Sequence, residues 1–78
     1  MPYYVYILLC ADKTFYTGVT NNLEKRLHAH NNLKCGARYT KARRPVALKF
    51  YEKKRTKSQA LKREYFLKQL TRAEKIML

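Results

Sequence analysis

Acidic residues are scarce in this sequence: five Asp and Glu stand against eighteen Lys and Arg, for a formal net charge of +13. Tryptophan is absent, and glycine, proline and cysteine number two each. With so little Gly and Pro there is no low-complexity tract or linker, and no internal repeat, so the chain reads as one domain over residues 1–78. The two cysteines, Cys10 and Cys35, form no Cys-x-x-Cys pair, and neither lies at zinc-ligand spacing from His28 or His30. That argues against a zinc or disulfide framework and leads us to expect reduced thiols in a cytoplasmic protein. No apolar run is long enough to span a bilayer, and the apolar start from Met1 to Cys10 lacks the basic leader of a secretion signal, so no membrane association is expected.

What is plentiful is aromatic and basic. A domain this short buries only roughly 60–65% of its unfolded surface, and its seven Tyr and three Phe must supply much of the core beside the aliphatics. A charge of +13 repels itself in a compact fold and points to a polyanionic partner. Nucleic acid is the expected one.

Residues 3–10 are apolar at both alternating sets of positions, the pattern of a strand buried on both faces and central in its sheet. Ala11-Asp12-Lys13 supplies turn chemistry, and Thr14 to Val19 reads as a second strand, antiparallel to the first across so short a connection. Thr20 or Asn21 can cap a helix that aligns Leu23, Leu27 and His30 and stops near Asn31-Asn32. Residues 33–44 read as a basic loop. Pro45 then opens a third strand, Val46 to Tyr51, with Val46, Leu48 and Phe50 alternating against Ala47, Lys49 and Tyr51. A helix over about 58–70, capped by Thr56 or Ser58, precedes a short last helix begun by the capping box Thr71-Arg72-Ala73-Glu74. The fold class is therefore α+β, order ββαβαα, with a three-stranded antiparallel sheet flanked by helices.

Phosphodiester hydrolysis needs a nucleophilic water, charge stabilisation at the phosphate and help for the leaving oxygen, and a divalent metal with a carboxylate ligand commonly supplies part of this. Four of the five carboxylates have a sufficient structural explanation: Asp12 in the hairpin turn, Glu24 in a helix's first turn, Glu74 in the capping box, and Glu52 beside a run of Lys and Arg where a solvated ion pair is expected. Glu64 differs. Ala60, Leu61, Tyr65 and Leu67 bracket it at the helical repeat, on the arc expected to face the protein body, whereas Lys62 and Arg63 fall on the solvated arc. A carboxylate so placed needs a cation or several donors, and a metal and a structural Arg or Tyr partner satisfy that equally. Arg26 lies one helical turn before His30, a spacing that lets both reach one phosphate or leaves Arg26 as a surface charge. In the strands, Tyr4, Tyr6 and Tyr16 suit core packing as single residues. Lys34, Arg38, Lys41, Arg43 and Arg44 surround Tyr39, the mixture of cations and aromatic expected beside a nucleic-acid backbone or an unstacked base.

Tyr4-Val5-Tyr6 in the first strand and Tyr16-Thr17-Gly18 in the second, followed by Arg26 and His30 on a helix and Glu64 on a later one, resemble the motifs of the GIY-YIG nuclease superfamily. The resemblance covers almost the whole chain. It extends to Gly36-Ala37-Arg38-Tyr39-Thr40, Arg43-Arg44-Pro45 and Arg72-Ala73-Glu74-Lys75, which look like the small stand-alone bacterial branch and the nuclease domain of a eukaryotic structure-specific subunit. It implies a metal-dependent endonuclease acting on DNA rather than RNA, including branched or damaged DNA. The implied roles are Tyr6 and Tyr16 side by side, one orienting or deprotonating the attacking water, and Arg26 on the scissile phosphate. His30 would bond a tyrosine or take part in proton transfer, and Glu64 would hold one Mg²⁺ or Mn²⁺ that stabilises the leaving oxygen. The first motif departs from the family's by reading Tyr-Val-Tyr, and the chain has no asparagine after Asn32, where many members carry one beyond the glutamate. That departure motivates a second expectation: a module of the same fold that binds nucleic acid without cutting, or a subunit that cuts with a protein partner.

Overall fold

The computed structural model describes residues 2–32 and 38–78, all but the side chain of Arg38. Of the expected basic loop, residues 33–37, Lys34 among them, and the side chain of Arg38 lie outside the described residues. The elements run β1 (Tyr3–Leu9), β2 (Phe15–Thr20), α1 (Leu23–Asn32), α2 (Arg38–Lys41), β3 (Ala47–Lys54), α3 (Lys57–Lys68) and α4 (Arg72–Ile76). The class is α+β, and the antiparallel sheet has the order β2-β1-β3. Two details of the expected order change. Residues Arg38–Lys41 form a short helix where only loop was expected. The penultimate helix ends at Lys68, since the Gln69 amide already turns back to carbonyls of the last turn.

β1 is central, which explains its unbroken apolar run. Its even-numbered side chains Tyr6 and Leu8 join Cys10 and Val46 in one core, against Tyr16 and the α1 residues Leu23 and Leu27. Its odd-numbered Val5 and Ile7 join Leu67 in a second core on the opposite face, with Phe15, Val19, Phe50 and Leu70. A strand with helices on both faces must be apolar at every position.

The simple alternation expected in β3 is broken. Ile7 pairs with Phe50 but Leu8 pairs with Leu48, so one residue, Lys49, is extra on β3. This bulge places Leu48 and Phe50 on opposite faces of the sheet. Phe50 packs in the core with Leu67, whereas Leu48 stays exposed on the side of Tyr6 and Tyr51. The strand also runs on to Lys54, beyond its expected end at Tyr51.

The turns and caps are local. Asp12 Oδ1 accepts from the Thr14 amide and hydroxyl at 3.1 and 2.5 Å, and Lys13 takes a φ of 69° to close the hairpin. The cap of α1 is Asn22 and not its two predecessors: its Oδ1 accepts from the Lys25 amide at 3.1 Å, while Thr20 Oγ1 accepts from the Asn22 amide and stabilises the approach. Thr56 caps α3, and Thr71 with Glu74 forms the expected capping box of α4. Arg63, expected to be an ordinary surface charge, instead donates Nε and a terminal nitrogen to both oxygens of Glu52 at 2.8 and 3.2 Å, tying α3 to β3.

Candidate active site

Tyr6 stands on the central strand and points across β2. Its cross-strand partner is Gly18, where a Cβ would lie 2.6 Å from the Tyr6 hydroxyl and 2.7 Å from Cζ. Only a residue without a side chain lets the phenol ring cross there. Tyr16, paired with Leu8, lies on the same sheet face, and the two tyrosine rings sit 6.5 Å apart.

α1 places two side chains against this pair. His30 is fully buried; its ring stands 5.8 Å from that of Tyr6 and 5.0 Å from that of Tyr16. Its Nε2 shares a 2.8 Å hydrogen bond with the Tyr6 hydroxyl, and its Nδ1 another of 2.8 Å with the Thr40 hydroxyl of α2. Burial, then the positive charges of Arg26 and Arg44, push the His30 pKa down to about 4. The imidazole is thus neutral near pH 7. Arg26 is half-buried and hydrogen-bonded to the phenols of Tyr6 and Tyr16; burial opposes its charge, but those bonds and the tyrosines' charges outweigh it and raise its pKa.

Burial also pushes the Tyr6 pKa up to about 12, against the lowering effect of its bond to Arg26, with Tyr16 and Glu64 adding to the rise. Tyr6 is therefore a neutral phenol at working pH. Glu64 reaches this neighbourhood from α3. Its arc is less buried than expected: Ala60 and Leu67 are fully buried, but Leu61 and Tyr65 are exposed, so Glu64 sits at the boundary with its side chain 20% exposed. Its only ion pair among the described residues is with exposed Lys68, at 3.6 Å.

These residues line one open cleft of about 530 Å³ at the β2 edge, with Tyr6, Tyr16, Arg26 and Glu64 from β1, β2, α1 and α3 facing it. Glu64 is the one acidic residue in the lining. Among the described residues, no three His, Cys, Asp or Glu side chains converge to cage a metal. A single carboxylate in an open, solvated cleft fits a hydrated Mg²⁺ or Mn²⁺, which keeps several waters and takes further ligands from phosphate.

The remaining expected binding residues divide. Tyr39 is exposed; its ring lies 5.9 Å from that of Tyr16, with the Arg43 guanidinium 4.0 Å from its centroid. Arg43 also pairs with Asp12 at 3.0 Å, joining the turn after α2 to the hairpin turn. Lys41 is exposed on α2. Arg44 turns inward, donating to the His30 and Ala29 carbonyls at 2.5 and 3.3 Å, so it caps the end of α1 and holds His30 in place. Thr40 and Lys57 were given no site role from the sequence. Thr40 is fully buried against His30, and Lys57 lines the cleft from the start of α3. Nothing in the local pattern marks Thr40, whose role exists only once α2 meets α1.

Residues 2–77 match the family model described as the GIY-YIG catalytic domain. A UPF0213 protein of Clostridium perfringens is 56% identical over 96% of this chain and 80% of its own length. A UPF0213 protein of Syntrophus aciditrophicus is 57% identical over 96% of this chain and 86% of its own length. Among solved structures, an E. faecalis protein determined by solution NMR is similar at TM-score 0.66 and 44% identity, covering 99% of this chain and 81% of that one. The solution structure of a UPF0213 protein from Bacillus halodurans is similar at TM-score 0.58 and 39% identity, covering 96% and 79%. With the paired tyrosines, the helix arginine and the later glutamate meeting in one cleft, the chain belongs to the GIY-YIG family, among its small UPF0213 members.

Proposed function

We propose that the cleft hydrolyses phosphodiester bonds in DNA with the help of one divalent cation. The observation that carries this reading is the convergence of Tyr6, Tyr16, Arg26 and Glu64 on one open surface of a strongly basic domain. Arg26 binds the scissile phosphate and meets the negative charge that grows there in the transition state. Glu64 would hold the cation, which when bound stabilises charge on the phosphate and the leaving oxygen.

The pKa values separate the remaining roles. A histidine pushed to about 4 carries a proton in only about one molecule in a thousand at pH 7. His30 therefore acts by orienting the Tyr6 hydroxyl, and is a poor place to store a proton. Tyr6, at about 12, keeps its own proton and positions the attacking water by hydrogen bonding; the water's proton passes to the solvent of the open cleft as the bond to phosphorus forms.

The test is cleavage of labelled duplex, flap, fork, single-stranded DNA and RNA of matching sequence with Mg²⁺ or Mn²⁺, for wild type, Glu64→Ala and Arg26→Ala. Metal-dependent cutting of DNA, lost in both variants, is expected. No cutting of any substrate, or equal cutting by Glu64→Ala, refutes the reading.

A further inference from the structure

On the other flank of α1 lies a second open pocket, also of about 530 Å³, that the proposed chemistry leaves unused. Tyr4 and Tyr51 form its aromatic part, their rings edge to face at 6.2 Å. Leu27 closes it on the α1 side, and Asn21, Asn22 and Glu24 bring polar groups from the helix start. Tyr51 is 53% exposed, although it sits beside the fully buried Tyr6 in the sheet. An aromatic ring left so open in a thin-cored domain has surface to give to a ligand.

The lining chemistry narrows that ligand. Among the described residues no Lys or Arg lines the pocket, and it carries the carboxylate of Glu24, so a phosphate group is disfavoured inside it. A nucleobase suits it: a flat face to stack on tyrosine, and an edge whose amino groups can meet a carboxylate or a side-chain amide. The cations stand just outside. Lys53 is exposed and cross-strand from Tyr4 on the same face, and Lys25 is exposed on α1 next to Glu24. Phosphates flanking a seated base would meet them.

The pocket also adjoins the cleft. Asn21 lines both, Tyr51 is the direct cross-strand neighbour of Tyr6, and Arg26 and Glu24 open from α1 onto the cleft and the pocket respectively. We infer that the Tyr4–Tyr51 pocket holds an unstacked base of the DNA strand next to the phosphate bound in the cleft, so that the protein selects DNA with an unpaired flank. A paired base cannot enter, because its faces are already covered in the duplex stack. This rests on the neighbouring cleft holding a DNA strand, but not on that cleft cutting it.

Binding without metal separates the two. In EDTA, wild type, Tyr51→Ala and Tyr51→Trp are titrated into a single-stranded deoxyoligonucleotide carrying 2-aminopurine and, separately, into a blunt duplex of the same sequence. Wild type should change the 2-aminopurine fluorescence. Tyr51→Ala should lose that change and bind the single strand about ten-fold or more weakly, while Tyr51→Trp restores both and duplex affinity stays within two-fold throughout. Thermal melting of each variant checks folding, which the exposed position of Tyr51 should spare.

Failure of wild type to bind the single strand, equal binding by Tyr51→Ala, or a parallel loss on duplex overturns the inference. So does concentration-dependent self-association of wild type that Tyr51→Ala abolishes, which would make the pocket a contact between copies of this chain. Cleavage that depends on Glu64 but is indifferent to Tyr51 on every substrate refutes the pocket and leaves the cleft intact. A Tyr51-dependent base signal without any cleavage does the reverse.

Discussion

Acidification should destabilise this protein through His30 before its ordinary carboxylates titrate. The folded-state pKa of His30 is about 4, below its usual value of 6.5. Between those values the unfolded chain binds a proton at this position that the folded chain excludes, so stability falls as pH falls. The contribution is fully present above pH 6.5, declines through the window and is exhausted below about pH 4. Each pH unit in the window is worth about 1.4 kcal/mol, so going from pH 6.5 to 5 costs about 2 kcal/mol. For a domain of this size that lowers Tm by roughly 8–16 °C. Urea or thermal unfolding at pH 7, 6, 5.5 and 5 measures the loss, with His30→Gln, which cannot titrate, as the reference. Wild type should lose about 2 kcal/mol more than the variant over that range, and the His30 ring protons should show no NMR titration near pH 6.5. Parallel curves for the two proteins, or a ring titrating near 6.5, would refute the buried, neutral imidazole on which the role of His30 rests.

Gly18→Ala should destabilise by about 1–3 kcal/mol in denaturant unfolding, because the new methyl meets the Tyr6 hydroxyl at 2.6 Å; the same change should impair any cleavage by moving that hydroxyl. Arg44→Ala removes the donor to the His30 and Ala29 carbonyls and should cost about 1–3 kcal/mol; a loss confined to nucleic-acid affinity, with Tm unchanged, would show that its partners lie outside the fold. The Glu52–Arg63 pair is well formed, but both side chains are about 30% exposed, so a double-mutant cycle should return no more than about 1 kcal/mol. A coupling several times larger would mean that the pair is effectively dry.

Much of the fold was legible because it rests on patterns that act locally. An unbroken apolar run marked β1 as central, since a strand packed on both faces has no position for a polar side chain. Asp12 in its turn and Thr71 with Glu74 in their capping box bond to backbone within a few residues, so their neighbours suffice to predict them. The bulge at Lys49 was not legible, because it depends on how β3 registers against β1, and it sent Leu48 and Phe50 to opposite faces. Asn22 replaced its two predecessors as the cap because boundary residues of the same chemistry compete within a single turn.

The site shows the same division. Sequence alone determined which chemistry is available: an excess of cations for phosphate, two tyrosines on a hairpin, Arg26 and His30 one turn apart, and one carboxylate, Glu64, without a local structural reason. Only tertiary structure decided what those groups become. Burial on the α1 face of the sheet makes His30 neutral and Tyr6 a high-pKa phenol, because removing a group from water disfavours its charged form. The meeting of α2 with α1 draws Arg44, expected among the nucleic-acid contacts, inward to the carbonyls of α1. The pairing of β3 with β1 leaves Tyr51 open beside Tyr4, although in the sequence it is one more aromatic residue in a strand. Residue type sets which interactions a side chain can make; desolvation and approach in space select the ones it does make.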